Sequence, residues 1–157
     1  MVATTMPSIP LLLAKLQDDF SSITFVSQNT FSWNPTTGTV TYFDEGPVYR
    51  LLHEVGHATL GHRHYRRDID LLGMERDAWQ AALQLATRYH IRLNVADIED
   101  DLDSYRNWLH ARSTCPSCQA NGIQITSNRY RCIECETVWK VNEARYCQLR
   151  RTIITSY

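Results

Sequence analysis

His53, Glu54 and His57 make up an H-E-x-x-H pattern. On a helix, positions four apart lie about 40° apart around the axis, so both imidazoles can reach one ion. The glutamate beside the first histidine then lies near a water held on that ion, where it can accept a proton. Zinc in a hydrolytic site takes three protein ligands and leaves the fourth position to water. The expectation is a catalytic Zn2+ on His53 and His57, with Glu54 as the general base of a peptide-bond hydrolysis.

The surroundings favour a built site over a chance match. Val48, Leu51, Leu52, Val55, Ala58 and Leu60 make the helix apolar, which sets the histidines at the border of a core. Gly56 sits between the two ligands and costs about 1 kcal/mol of helix propensity relative to alanine. Its presence predicts that another backbone approaches the helix there.

A third ligand must come from elsewhere. His62 follows His57 by five residues, about 500° of helix, and points away from the ion unless Gly61 turns the chain and brings His62 or His64 round. Glu75 is favoured instead: it stands early in the next helix, and a carboxylate on an antiparallel second helix can complete a His₂Glu site. Asp77 is the alternative, with the shorter arm; roughly 200° separates it from Glu75, so only one of them faces the ion. Hydrolysis also needs a donor for the developing oxyanion, and Tyr65, His64, Tyr89 and His90 are all eligible.

Cys115, Cys118, Cys132 and Cys135 form a C-x₂-C-x₁₃-C-x₂-C array. Two tight cysteine turns joined by a hairpin-length spacer can place four thiolates tetrahedrally around a second, structural Zn2+. A closed site of this kind contributes to folding rather than to chemistry. Cys147 is left over. Arg129, Arg131, Lys140, Arg145, Arg150 and Arg151 surround the array, interleaved with Tyr130, Trp139 and Tyr146, which suggests weak contact with nucleic acid through the ribbon.

The elements that must position these groups follow from periodicity. Ile9, Leu12, Leu13 and Leu16 predict a first helix capped by Ser8. Residues 23–33 and 39–43 are β-rich, and Asn34-Pro35-Thr36-Thr37-Gly38 between them predicts a hairpin. Pro47 opens the H-E-x-x-H helix, which should end near Gly61, and residues 62–68 read as a loop. Leu72, Ala78, Trp79, Ala82, Leu83 and Ala86 mark the apolar face of a helix over 71–89. Ile98, Leu102, Tyr105 and Leu109 mark another over 94–112. The fold class is α+β: residues 1–112 a small zincin-like domain, residues 113–157 a zinc ribbon with a basic tail.

The chain has 157 residues, 43% hydrophobic and 21% charged, enough for a core that does not depend entirely on metal. Residues 1–110 carry nine Lys/Arg and fourteen Asp/Glu, and residues 111–157 carry seven and three. An acidic body is thus followed by a basic tail. No run of 18 apolar residues suggests a membrane span, and no basic region precedes the short apolar stretch from Ile9. Paired cysteines point to metal rather than disulfides, so a cytoplasmic location is expected.

Residues 48–83 resemble the ImmA/IrrE metallopeptidases, through Leu51-Leu52-His53-Glu54-Val55-Gly56-His57-Ala58-Thr59-Leu60-Gly61-His62 and Glu75-Arg76-Asp77-Ala78. The resemblance implies a minimal zincin fold, His53, His57 and Glu75 as zinc ligands, and Glu54 as base. It also implies a protein substrate such as a repressor or other regulator. The order of a H-E-x-x-H domain and then a zinc ribbon is similar to the SprT-like proteases, which act on proteins at DNA; their third ligand is a later histidine. The competing expectation is a non-catalytic zinc-binding module that grips nucleic acid or protein through its basic ribbon.

Overall fold

The computed structural model describes residues 8–145 and 148–155; Tyr146 and Cys147 lie outside them. The class is α+β, with four helices and two small sheets among the described residues. The chain divides into two compact units. One runs to His64 and resumes over Met74–Ile98; the other comprises Tyr65–Gly73 and the described residues from Glu99 onward. No helix among the described residues is long and apolar enough to cross a membrane.

The first unit opens with α1 (Ile9–Asp19), which buries Ile9, Leu12 and Leu16 at helical spacing. A three-stranded sheet follows, made of β1 (Thr24–Ser27), β2 (Ser32–Asn34) and β3 (Thr39–Tyr42). The predicted hairpin is present as β2 and β3, in antiparallel register with Trp33 opposite Val40. Residues 23–33 are not one strand, however. The chain breaks after Ser27, and β1 pairs in parallel with the other side of β3. The sheet order is therefore β1-β3-β2, with β3 central and β2 at an edge. Burial explains that order: Val40, Thr41 and Tyr42 are all buried, whereas Trp33 is the only residue of β2 that is not fully exposed.

Helix α2 (Val48–Thr59) packs on β2 and β3 and buries Leu51, Leu52 and Val55 completely. Its C-terminal end is a Schellman motif. The His62 N–H donates to the His57 carbonyl (3.0 Å) and the Gly61 N–H to the Ala58 carbonyl (3.1 Å). Gly61 takes the left-handed conformation this turn requires, with φ 64°. Helix α3 (Asp68–Arg88) starts earlier than its apolar pattern suggests. The polar residue Asp68 begins it, with its N–H donating to the Gln124 side chain at 2.7 Å. Ala78, Trp79, Ala82, Leu85 and Ala86 are its buried face, and Leu83, expected inside, is exposed. The stripe set by Ala78, Ala82 and Ala86 continues through Leu85, and Leu83 falls beyond its edge.

Helix α4 (Val95–Ser113) buries Ile98, Leu102, Tyr105 and Trp108, the last in place of the expected Leu109. In the second unit, β4 (Gly122–Thr126), β5 (Arg129–Cys132), β6 (Val138–Val141) and β7 (Arg151–Ile153) form an antiparallel sheet in sequence order. Its small core is Cys115, Tyr130, Cys132, Trp139 and Val141. The stacked rings of Tyr130 and Trp139 lie 5.7 Å apart within it. These two aromatics therefore stabilise the ribbon and offer no platform for nucleic-acid bases.

Candidate metal centres

The first unit brings His53, His57 and Glu75 together, and all three are buried. Helix periodicity turns both imidazoles to the same side of α2. His53 Nε2 and His57 Nε2 lie 3.1 Å apart. Glu75, from α3, places Oε2 at 3.0 Å from His53 Nε2 and Oε1 at 3.5 Å from His57 Nε2. Asp77 does not share this place; its carboxylate pairs with Arg76 at 2.8 Å. Burial alone would raise the Glu75 carboxyl. Its hydrogen bonds to the two imidazoles outweigh that and hold it down at about 2.

Close approach of α2 and α3 makes the cluster possible, and Gly56 permits it. A Cβ at Gly56 would sit 2.5 Å from the carbonyl oxygen of Ala78. The neighbour is backbone and cannot swing away. Gly56→Ala is expected to destabilise by about 1–3 kcal/mol through overpacking, despite a helix-propensity gain of about 1 kcal/mol. Urea unfolding measures it; a variant more stable than the parent would refute the tight approach.

Glu54 stands beside the cluster, half-buried on α2. Burial raises its carboxyl above the ordinary range. The imidazoles of His53 and His57 pull the other way, as does a hydrogen bond donated by the Trp33 backbone N–H, but burial prevails. The Trp33 indole turns elsewhere and donates Nε1–H to the His62 carbonyl at 2.8 Å. No pattern in the sequence marks Trp33; only the edge position of β2 against α2 brings it here.

His62 is not placed as a ligand. The Schellman turn folds it back over α2 so that its Nδ1 lies 2.8 Å from Nδ1 of His57, the nitrogen opposite the one facing Glu75. Burial is the main cause lowering the His62 pKa, followed by the adjacent His57, which favours a neutral ring. His53 differs. Its Nδ1 is buried with no hydrogen-bond partner among the described residues, and its ring is covered by Trp79 at 4.1 Å.

The proposed oxyanion donors are dispersed. Tyr89 donates its hydroxyl to Asp19 at 2.6 Å, and burial together with that carboxylate pushes the phenol up to about 12. His90 occupies the left-handed position (φ 57°) of a second Schellman motif, at the end of α3. His64 is exposed, and Tyr65 belongs to the second unit. No hydrogen bond among the described residues links any of the four to the cluster.

The second unit gathers the four ribbon cysteines. Cys115 Sγ lies 3.7 Å from Cys135 Sγ, and Cys118 Sγ 3.5 Å from Cys132 Sγ. No pair is within disulfide distance. The two C-x-x-C turns repeat one arrangement: the N–H of Ser117 donates to Cys115 Sγ at 3.4 Å, and that of Glu134 to Cys132 Sγ at 3.4 Å. In each group the ligand atoms all lie within 4.8 Å of one another, so each could hold a metal ion.

Comparison of the chain with protein-family models, with curated proteins and with solved structures gave no match.

Proposed function

We propose that this chain is a zinc-dependent endopeptidase, with a catalytic zinc on His53, His57 and Glu75 and a structural zinc on Cys115, Cys118, Cys132 and Cys135. The carrying observation is the close set of ligand atoms: Nε2 of His53 and of His57 lie 3.1 Å apart, with Glu75 Oε2 3.0 Å from the first and Glu75 Oε1 3.5 Å from the second. Tetrahedral ligands about 2.0–2.1 Å from a zinc ion stand about 3.3 Å from one another. For thiolates at about 2.3 Å the edge is about 3.8 Å, close to the 3.5 and 3.7 Å between the sulfurs.

Zinc bound in the first site would polarise a scissile carbonyl and make a water acidic enough to attack it near neutral pH. Glu54 takes the proton from the attacking water and passes it to the leaving amine. Its place on α2 beside His53 sets the carboxylate next to the ion's open position, which suits both steps. The Trp33 N–H steadies that carboxylate. The likeness of residues 48–83 to the ImmA/IrrE enzymes extends the proposal to a protein substrate, a repressor or other regulator in the cytoplasm.

Metal content tests the reading. The purified chain should carry two zinc ions per molecule and cleave members of a quenched-fluorescent peptide library. A His53→Ala/His57→Ala variant should carry one zinc and cleave none. Two zinc ions in that variant would end the proposal.

A second reading, weak binding of nucleic acid by the ribbon, has one observation in its favour. Arg129 on β5 and Lys140 on β6 are cross-strand neighbours, both exposed, with no acidic partner among the described residues. With Tyr130 and Trp139 buried, such contact would go to phosphates and weaken steeply with salt. Affinity for an oligonucleotide that is unchanged between 50 and 200 mM salt would exclude it.

A further inference from the structure

We infer that His62, held in place by Trp33, is a positioning residue for the first metal centre: it accepts the Nδ1–H of His57 and so fixes that ligand's tautomer and aim. The inference rests on the metallopeptidase reading and adds a residue to it.

The geometry begins with the end of α2. In a Schellman motif the residue after the left-handed position packs back on the last turn of the helix, and the contact is usually apolar. Here those two places hold His62 and His57, and the contact is nitrogen to nitrogen at 2.8 Å. An imidazole that binds metal through Nε2 carries its remaining proton on Nδ1. The only ring nitrogen placed to receive that proton in a hydrogen bond, among the described residues, is His62 Nδ1. Partners of this kind orient a metal-binding imidazole and raise its basicity.

Two further contacts secure the arrangement. The His62 carbonyl accepts the Trp33 indole N–H, and the Trp33 backbone N–H reaches Glu54. One residue of the edge strand β2 thus steadies both the proton acceptor and the group that orients a ligand. His53 has no equivalent: its Nδ1 lacks a partner among the described residues, and packing under Trp79 holds its ring. The aim of His57 therefore depends on a hydrogen bond, and that of His53 on packing.

The test uses the full chain with His62→Phe, His62→Asn and Trp33→Phe. Asparagine places Oδ1 where imidazole has Nδ1 and can still accept the bond; phenylalanine fills the space and cannot. Zinc affinity at the first site is read by competition with a chromophoric chelator, and the visible bands of the cobalt(II) form report the ligand geometry. His62→Phe should lose about 10–100-fold in affinity and shift the cobalt bands. His62→Asn should stay near the parent, Trp33→Phe should fall between them, and the ribbon zinc should be unchanged in all. If His62→Phe does not fold, His62→Ala against His62→Asn makes the same comparison. Parental affinity in His62→Phe, or equal loss in the asparagine variant, overturns the inference and leaves the metallopeptidase reading standing. A parent chain that holds zinc only on its cysteines overturns both.

Discussion

On the metallopeptidase proposal, Glu54→Gln is expected to abolish peptide cleavage and to leave both zinc ions bound. Glutamine keeps the size of the side chain and can still accept the Trp33 N–H, but it cannot take a proton from water. Loss of a positioned general base costs on the order of 10²–10⁴ in rate. Glu54 is not among the atoms clustered at the first centre, so zinc content should not fall. Steady-state hydrolysis of the peptide library, beside zinc analysis of the same preparations, separates the two effects. Cleavage at the parental rate would remove Glu54 from its role, and loss of zinc would mean that it supports the ligands instead.

The largest effect on stability is expected at Arg112→Ala. Arg112 is 1% exposed, and each nitrogen of its guanidinium donates a hydrogen bond within the second unit. It donates to Asp68 Oδ2 at 2.6 Å, to the Asn142 carbonyl at 2.7 Å and to Asn128 Oδ1 at 2.6 Å. Its charge lies 4.7 Å from the Trp108 ring. The Tyr130 hydroxyl donates to the same Asp68 oxygen, and the Trp139 indole donates to the Arg112 carbonyl. Removing the guanidinium leaves the Asp68 carboxylate buried without its cation, which costs about 3–5 kcal/mol. Replacing both partners, as Arg112→Met with Asp68→Leu, should cost much less, because no buried charge is stranded. Urea unfolding of the full chain in the presence of zinc measures each. Equal losses in the single and paired variants would show that packing, not charge, sets the cost.

Spacing and residue chemistry carried the reading furthest where the interaction is local. The four-residue interval between His53 and His57 predicts a shared face because a helix repeats in that way, and the structure puts the two nitrogens 3.1 Å apart. Gly56 could be read as a point of close approach because a glycine inside an apolar helix needs a reason, and Ala78 supplies it. The longer arm of Glu75 was a weaker clue, yet its carboxylate is the one that meets the histidines. The parallel pairing of β1 with β3 was not legible, since the hairpin signal between β2 and β3 says nothing about a third strand. The bond between Arg112 and Asp68 was not legible either: 44 positions separate them, and no periodicity connects such a pair. His62 fell in between. Gly61 announced a turn, but only the structure shows that the turn ends on His57 Nδ1 instead of on the side of the ring that faces Glu75. Tyr130 and Trp139 illustrate a limit of composition: aromatics among arginines look alike whether they face solvent or fill a small core.

The ribbon sulfurs are unequally sheltered. Cys115 and Cys132 are buried, whereas Cys118 and Cys135 are exposed, so each C-x-x-C turn points one sulfur inward and one outward. Each close sulfur pair joins an inner atom of one turn to an outer atom of the other. Peroxide or an alkylating reagent in solution meets the outer pair first, and damage follows accessibility. The ribbon's vulnerability to air and electrophiles is therefore concentrated at Cys118 and Cys135, and a reducing environment protects the whole module by protecting those two atoms.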